Sequence, residues 1–370
     1  MGLELLRRNK DKDKDKKKLT SRKIAELAEV SQTTVSMILN GKSLSSFSDE
    51  TILKVTSIAE NFGYVGNAKK APFVHSGVIQ IICPVLLNPY YSTLIQAVEQ
   101  AAYKHGFRTM VCTTYRSADI EKCHIDKINP KEIAGIIFVN IPLNIQRAEE
   151  INREVPVVVI GDRYDLISVD MIEVNSYRMG TIVADHLLEL GHRNIMFITT
   201  PLDKDNTGRI KRMEGIQDTL KASGQDYRFE VKIKNTTSLM DMNDPHIEHE
   251  VGYSIMKECL SDTEITAIVG INDMVAYGAA DALLEAGYRI PEDYSICGFD
   301  NIFISALKWV SLTSVDNFLF QRGNSAFEML LVSINQRNNS TTSNLNSFST
   351  KVEYHPQLVI RSSTGPVRER

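Results

Sequence analysis

Two kinds of hydrophobic pattern divide the chain. Between residues 19 and 67, apolar positions recur at helical spacing in three short runs. From Gly77 onward, continuous apolar runs of strand length alternate with amphipathic stretches. In the first part, Ile24, Leu27 and Ala28 share one face and predict a helix from Ser21 to Ala28, with Thr20 or Ser21 as its N-cap. Glu29-Val30 breaks it. Ser31 caps a second helix, SQTTVSMILN, with Val35, Ile38 and Leu39 as its apolar stripe and Asn40-Gly41 as its stop. Gln32, Thr33, Ser36 and Met37 point outward, with Thr34 near the start. Ser48 caps a third helix with Asp49 and Glu50 in its first turn. Ile52, Val55, Ile58, Ala59 and Phe62 line its buried face, and Gly63 ends it. Two short helices meeting at a tight break read as a helix-turn-helix. A helix offering small polar residues from its N-terminal turns suits the DNA major groove.

The second part begins with VIQIICPV, an apolar run typical of a strand buried on both faces. STLIQAVEQAAYKHG follows as a helix, then RTMVCTT, AGIIFV and PVVVIG as strands separated by helical stretches. After Asn175 the alternation restarts with MGTIVADHLLELG and NIMFIT and continues to YSICGF. This spacing predicts two α/β lobes, each with a parallel sheet. Ligands of such sheets sit beyond the carboxyl ends of the strands, so facing lobes make a cleft able to hinge.

Composition sharpens this picture. A chain of 370 residues predicts two to three domains. The formal net charge of -4 hides an asymmetry: residues 1 to 70 hold 14 Lys/Arg against 9 Asp/Glu, leaving 28 against 37 in the remainder. A basic end on an acidic body points the end at a polyanion. Residues 1 to 18 contain the low-complexity run RRNKDKDKDKKK. Disorder is expected there, as a solubilising tail or a loose phosphate-contacting arm. The five cysteines carry no CxxC pair, which predicts reduced thiols in a cytoplasm. No apolar run of about 18 residues predicts a membrane span, and no apolar stretch follows the charged start as in a secretory signal.

The residues Thr20, Ile24, Ala25, Ala28, Val30, Ser31, Thr34, Val35, Ser36, Leu39 and Asn40, then Ser48 and Thr51, then Gly63, Tyr64 and Asn67, carry a resemblance to the headpiece of the lactose-repressor (LacI/GalR) family of transcription regulators. The resemblance implies double-stranded operator DNA as partner. It adds Thr20, Ser31, Asn40, Ser48, Thr51, Tyr64 and Asn67 to the DNA-contacting residues of the second helix. There are departures. Glu29 stands where the family has a turn glycine, so a non-Gly residue must take that backbone angle. Met37 replaces an arginine that can read guanine, and offers only apolar contact. The loop Gly41 to Phe47 is about two residues longer, and Gly66 replaces a proline. The hinge of residues 68–76 is about two residues shorter than the family's and holds Pro72, which disfavours the family's hinge helix. Phe73 there is a substitute minor-groove wedge or packs at the linker exit, and Lys69 and Lys70 are phosphate contacts.

From Gly77 the body resembles the family's effector domain, akin to type I periplasmic sugar-binding proteins. Asn88-Pro89-Tyr90-Tyr91, PVVVIGDR, HLLELGHRNIMFI, Arg212 to Gly215, Asn272-Asp273-Met274, RIPEDYSICGFDN and PQLVIRSST carry that likeness. It implies three crossings between lobes, expected near 170 to 176, near 301 and within 335 to 350. Lobe one would then hold about 77–173 and 302–335, and lobe two about 174–300 and 351–364. It places Tyr90 and Tyr91 at the cleft, with Arg212 reaching ligand from a helix. Asp273 accepts ligand protons, Asp162 and Arg163 face the cleft or its rim, and Phe299-Asp300 close the last strand before a crossover. Tyr91 as core packing, and Asp162-Arg163 as a lobe–lobe ion pair, are the structural alternatives. Arg, Asp and an aromatic face suit a sugar, and stacked tyrosines suit a nucleobase equally. His192-Arg193 reads as structural, and His246 and His249 as part of a solvated acidic loop more readily than a metal site.

The sequence thus predicts a cytoplasmic, homodimeric, effector-responsive regulator, a repressor of a sugar or related carbon-source operon, with no cofactor. A nucleoside-type effector is the first alternative. A transporter's solute receptor lacks its export signal, and an enzyme lacks any nucleophile–base, phosphate-loop or metal pattern.

Overall fold

A computed structural model of the chain describes residues 21–39, 47–61, 77–162, 167–202, 207–339 and 349–368. The chain divides into two compact units, Met1–Val74 and His75–Arg370.

The first unit holds α1 (Ser21–Ala28), α2 (Gln32–Leu39) and α3 (Asp49–Asn61). The expected apolar stripes meet except at Leu27, which is exposed while Ala25 is buried: Ile24, Ala25 and Ala28 pack with Val35, Ile38, Val55 and Ala59. Glu29 takes the left-handed angle demanded of it, with φ 59°, and Val30 N–H closes the turn onto Ala25 O at 3.0 Å. A side chain in that region is strained by the clash of Cβ with its own carbonyl, so this turn stores a modest cost. Ser31 Oγ accepts from Thr34 N–H at 3.0 Å and Ser48 Oγ from Thr51 N–H at 3.3 Å, so both serines cap helices as read. The tail, the loop after Leu39 and the whole hinge lie outside the described residues.

The second unit has two six-stranded sheets. Lobe one contains β1 (Val78–Cys83), α4 (Pro89–Lys104), β2 (Arg108–Thr113), α5 (Ala118–Asp126), β3 (Ile133–Phe138), α6 (Ile145–Ile151), β4 (Val157–Asp162) and β5 (Asp170–Val174). Lobe two contains α7 (Ser176–Glu189), β6 (Asn194–Thr199), α8 (Thr207–Ala222), β7 (Arg228–Ile233), α9 (Ser238–Asn243), α10 (Ile247–Cys259), β8 (Ala267–Gly270), α11 (Asp273–Glu285), β9 (Ser295–Asp300) and β10 (Thr313–Asp316). α12 (Leu319–Asn339) and β11 (Lys351–Tyr354) return to lobe one, and β12 (Gln357–Val359) joins lobe two. The sheet orders are β11-β5-β4-β3-β1-β2 and β12-β10-β9-β8-β6-β7, parallel except for the β10–β12 pair. The apolar runs are buried on both faces, as parallel sheets between helices require.

The first crossing falls at Asn175, as expected. The other two differ. β10 pairs in parallel with β9, Thr313 opposite Cys297, so residues 302–316 stay in lobe two and the chain crosses between Asp316 and Leu319. β11 pairs with β5, so the third crossing lies between Tyr354 and Gln357. The cause is a fold-back: a 3-10 turn at Phe303–Ala306 lets a four-residue strand lie beside its predecessor.

Helices α7 and α8 cross at two glycines. A Cβ on Gly180 would stand 2.1 Å from Arg212 O, and one on Gly215 would stand 2.1 Å from Tyr177 O. Neither oxygen has room to retreat along a helix backbone, so any side chain at either position pries the pair apart. That crossing fixes the backbone of Arg212.

His192 is buried and structural. Its Nδ1 lies 2.9 Å from Thr266 Oγ1, and its Nε2 lies 2.9 Å from Ser295 Oγ and 3.0 Å from Gly365 O. Burial pushes its pKa down from 6.5 to about 4. The unfolded chain therefore binds a proton before the folded one does, and stability present above pH 6.5 drains as pH falls toward 4, by up to about 3 kcal/mol. Urea unfolding midpoints should drop across that window, and His192→Gln should flatten the decline relative to wild type. An equally steep decline in the variant refutes this role.

Candidate effector site and DNA-reading face

The carboxyl ends of both sheets open onto one cavity of about 480 Å³. Lobe one contributes Asn88, Tyr90 and Tyr91 at the start of α4, Arg116 after β2, Asn140 after β3, and Gly161 and Asp162 at the end of β4. Lobe two contributes Arg209 and Arg212 on α8, Asp241 on α9, Glu248 on α10, Asn272 before α11 and Asp300 at the end of β9. Among the described residues, four carboxylates face three guanidiniums.

The cluster nearest α10 links the lobes. Arg116 Nη1 lies 2.8 Å from Asp241 Oδ2, and its Nη2 lies 3.1 Å from Glu248 Oε1. Ser238 Oγ donates to Arg116 O at 3.2 Å. Glu248 Oε2 accepts from Asn272 Nδ2 at 3.0 Å and from Asn88 Nδ2. Burial alone would lower the Arg116 pKa, but the facing Tyr91, Glu248 and Asp241 raise it, so the guanidinium stays charged. Arg116 and its neighbour Tyr115 both sit at positive φ, 53° and 50°.

The opposite end is less fully paired. Asp162 Oδ1 accepts from Ser176 N–H across the first crossing at 2.9 Å. Its Oδ2 and Asn140 Oδ1 are buried acceptors with no hydrogen-bond partner among the described residues. Lys211 Nζ stands 3.9 Å from Asp162 Oδ2. Arg212 donates from Nη1 to Ile271 O at 2.7 Å, lies over the Phe299 ring at 5.0 Å, and leaves Nε unpartnered among the described residues. Burial holds the Asp300 carboxyl well above the usual carboxylate range; Arg212 opposes this and Asp273 and Glu248 add to it. Tyr90 and Tyr91 meet edge to face, 4.9 Å between centroids. Burial pushes the Tyr91 hydroxyl up to about 12.

Of the effector residues read from the sequence, Tyr90, Tyr91, Asp162, Arg212 and Asp300 come together in the cavity, and Arg163 lies outside the described residues. Two placements are corrected. Asp273 does not line the cavity: it is fully buried and accepts from Ile302 N–H at 3.1 Å, Ser305 Oγ at 2.6 Å and Ser314 Oγ at 2.6 Å. Its neighbour Asn272 faces the cavity instead. Phe299 is buried below Arg212, because strand alternation turns it away from the face that Asp300 presents. The supposed acidic loop around His246 is the start of α10, and it delivers Glu248. No group fit to hold a metal occurs among the described residues. Asn88, Arg116, Asp241, Glu248 and Asn272 were not read as site residues. An Asn-Pro helix start signals the Asn88 cap, whereas Arg116 and Glu248 carry no periodic signal.

In the first unit, α2 exposes Ser31, Gln32, Thr33, Ser36 and Met37, and Thr34 is half-buried. Gln32 Nε2 donates to Ser21 Oγ at 2.9 Å. Ser31 and Ser48 each pair hydroxyls with Thr34 and Thr51. Thr20, Asn40, Tyr64, Asn67, Lys69 and Lys70 lie outside the described residues.

The family description "Periplasmic binding proteins and sugar binding domain of LacI family" matches residues 76–354, and "Bacterial regulatory proteins, lacI family" matches residues 21–67. The chain belongs to the LacI family. It is similar to the HTH-type transcriptional regulator DegA of Bacillus subtilis, 27% identical over 95% of this chain and 99% of that protein. It is also similar to the HTH-type transcriptional repressor PurR of Edwardsiella ictaluri, 28% identical over 94% and 97%. A solved LacI family regulator from Enterococcus faecalis V583 with bound ribose is 26% identical, with a TM-score of 0.64 over 79% of this chain and 100% of that one. The CelR–cellobiose complex shares the fold at 21% identity, TM-score 0.62, over 93% and 99%. The chain is accordingly a DNA-binding transcriptional regulator and not an enzyme.

Removing Arg116 tests the bridge between the lobes. Arg116→Ala strands the buried Asp241 carboxylate without its counter-charge, a loss of about 3 kcal/mol. The unfolding temperature should fall by several degrees relative to wild type. An unchanged unfolding temperature contradicts the bridge.

Proposed function

We propose that this LacI-family chain is a cytoplasmic, homodimeric repressor whose operator affinity is set by a small, uncharged, polyhydroxylated effector of the sugar class. The observation that carries the reading is the cavity's surplus of acceptors. Asp162 Oδ2 and Asn140 Oδ1 are buried without hydrogen-bond partners among the described residues, and the Asp300 carboxyl stands at the end of β9. Buried acceptors left unpaired cost free energy that a donor-rich ligand recovers. Arg212, with Nε unpartnered among the described residues, takes a ring or hydroxyl oxygen. A phosphate or carboxylate would meet Asp162 at close range and be repelled. Ribose in the Enterococcus faecalis structure and cellobiose in CelR support the same class. The edge-to-face tyrosines offer no parallel pair of rings to sandwich a base, so a nucleoside ranks below a sugar.

Effector acts by binding one lobe arrangement better than another. Two headpieces of a dimer would read two half-sites of a near-palindromic operator. Phe303, Leu307 and Trp309, apolar and exposed on one short segment, give a surface that a second copy would cover.

A thermal-shift panel of neutral sugars, sugar phosphates and nucleosides should give a concentration-dependent rise for a neutral sugar and none for its phosphate. Because a hydroxyl donated to Asp300 favours its ionised form, binding should release a proton, and affinity should climb as pH rises through the raised Asp300 pKa. Calorimetry in buffers of different ionisation enthalpy reads that proton. A hit confined to phosphates or nucleosides, or binding without proton release, sinks the assignment. Gel shifts on fragments upstream of the neighbouring genes, with and without the hit, test regulation separately.

A further inference from the structure

We infer that Met37 on α2 reads the C5-methyl group of thymine, and that this chain selects operator half-sites by an apolar contact where a charged side chain would read guanine. The inference rests on α2 being the recognition helix of the LacI-family headpiece.

The exposed stripe of α2 is Gln32, Thr33, Ser36 and Met37, and no Lys, Arg, Asp or Glu occurs anywhere in α2. Val35 and Ile38 are taken by the core, so they read nothing. Guanine is distinguished in the major groove by two acceptors, N7 and O6, that call for a donor fork such as arginine; cytosine offers an amine that calls for an acceptor. Gln32 has an amide able to read adenine, but its Nε2 is drawn to Ser21 Oγ. Thr33 and Met37 stand one helical turn apart, at i and i+4, so a threonine methyl and a thioether fall on the same face. Met37 is 38% exposed although it is the most apolar residue of that face. Its side chain is unbranched and polarizable and fits irregular apolar surface. The one apolar feature that a base pair presents in the major groove is the thymine methyl.

The consequence is a preference that hydrogen-bond chemistry does not supply. Thymine and uracil offer identical donors and acceptors and differ only by the methyl. Burying one methyl-sized group against Met37 accounts for about a fourfold change in affinity per half-site.

The test uses the full-length chain. Binding sites are first selected from a random duplex library. In the selected duplex each thymine of one half-site is then replaced singly by deoxyuridine, and Kd is measured at fixed salt for wild type, Met37→Ala and Met37→Leu. One position is expected to weaken wild type about fourfold on loss of the methyl and to leave Met37→Ala unchanged, with Met37→Leu retaining most of the discrimination. Met37 lies outside the core, so all three proteins should unfold at the same temperature. Equal losses for wild type and Met37→Ala at every thymine overturn the inference. So does selection of G·C at the position where Met37→Ala alters base preference.

Discussion

One carboxylate oxygen joins the lobes of the effector domain. Glu248 Oε2 accepts from the side-chain amides of Asn88 and Asn272, the N-caps of α4 in lobe one and α11 in lobe two. Each asparagine spends its own Oδ1 on its helix, accepting from Tyr90 N–H at 2.8 Å and Val275 N–H at 2.9 Å. The amide nitrogen is thereby left facing the cleft, where only an acceptor satisfies it. Glu248 Oε1 turns to Arg116, and Arg116 turns to Asp241. Burial makes this chain of contacts obligatory, since an unpaired charge there costs several kcal/mol while the pairing of all members costs little. Two helix starts, one from each lobe, are thus registered through a single side chain.

The floor of the cleft is held by a second carboxylate that never reaches it. Asp273 gathers Ile302 N–H and the hydroxyls of Ser305 and Ser314, drawing the segment after β9 back over the sheet. Ser314 Oγ also accepts from Asn301 N–H at 2.9 Å. Asp300 and Asn301 both lie at positive φ, 125° and 49°. Non-glycine residues hold such angles only where surrounding bonds over-determine them. The return on that strain is orientation: the chain turns at Asp300, and its carboxyl stays on the cavity side.

Much of this was legible, and the misses have physical causes. Helix boundaries in the headpiece follow from apolar spacing and serine caps, which are local properties. The alternation of strand and helix in the body is equally local. The motif Arg212 to Gly215 was read as a ligand arginine with a nearby glycine; the structure gives that glycine its reason, a helix crossing with no space for Cβ. In Asn272-Asp273 the charged residue was taken for the ligand group. Yet the first turn of a helix sends neighbouring side chains in different directions, and the capping amide faces the cleft while the acid goes inward. Arg116 and Glu248 lie 132 residues apart, and no spacing along the chain announces that meeting. The second crossing was missed because a four-residue strand leaves too little pattern to say which sheet it joins.

The distribution of unpaired groups bears on how an effector does work. On the proposed reading, Asn140 Oδ1 and Asp162 Oδ2 of lobe one, without hydrogen-bond partners among the described residues, lie across the cavity from Arg212 and Asp300 of lobe two. Arg116 and Glu248 already bridge the lobes with protein groups alone. What the effector adds is only the difference between its contacts in the two arrangements. A molecule that reached Asp162 alone would bind open and closed forms alike, and equal affinity shifts no equilibrium however tight it is. The effector must therefore be long enough to satisfy acceptors on one lobe and the guanidinium on the other at once. The regulatory signal is then carried by contacts spanning the cavity and not by total affinity.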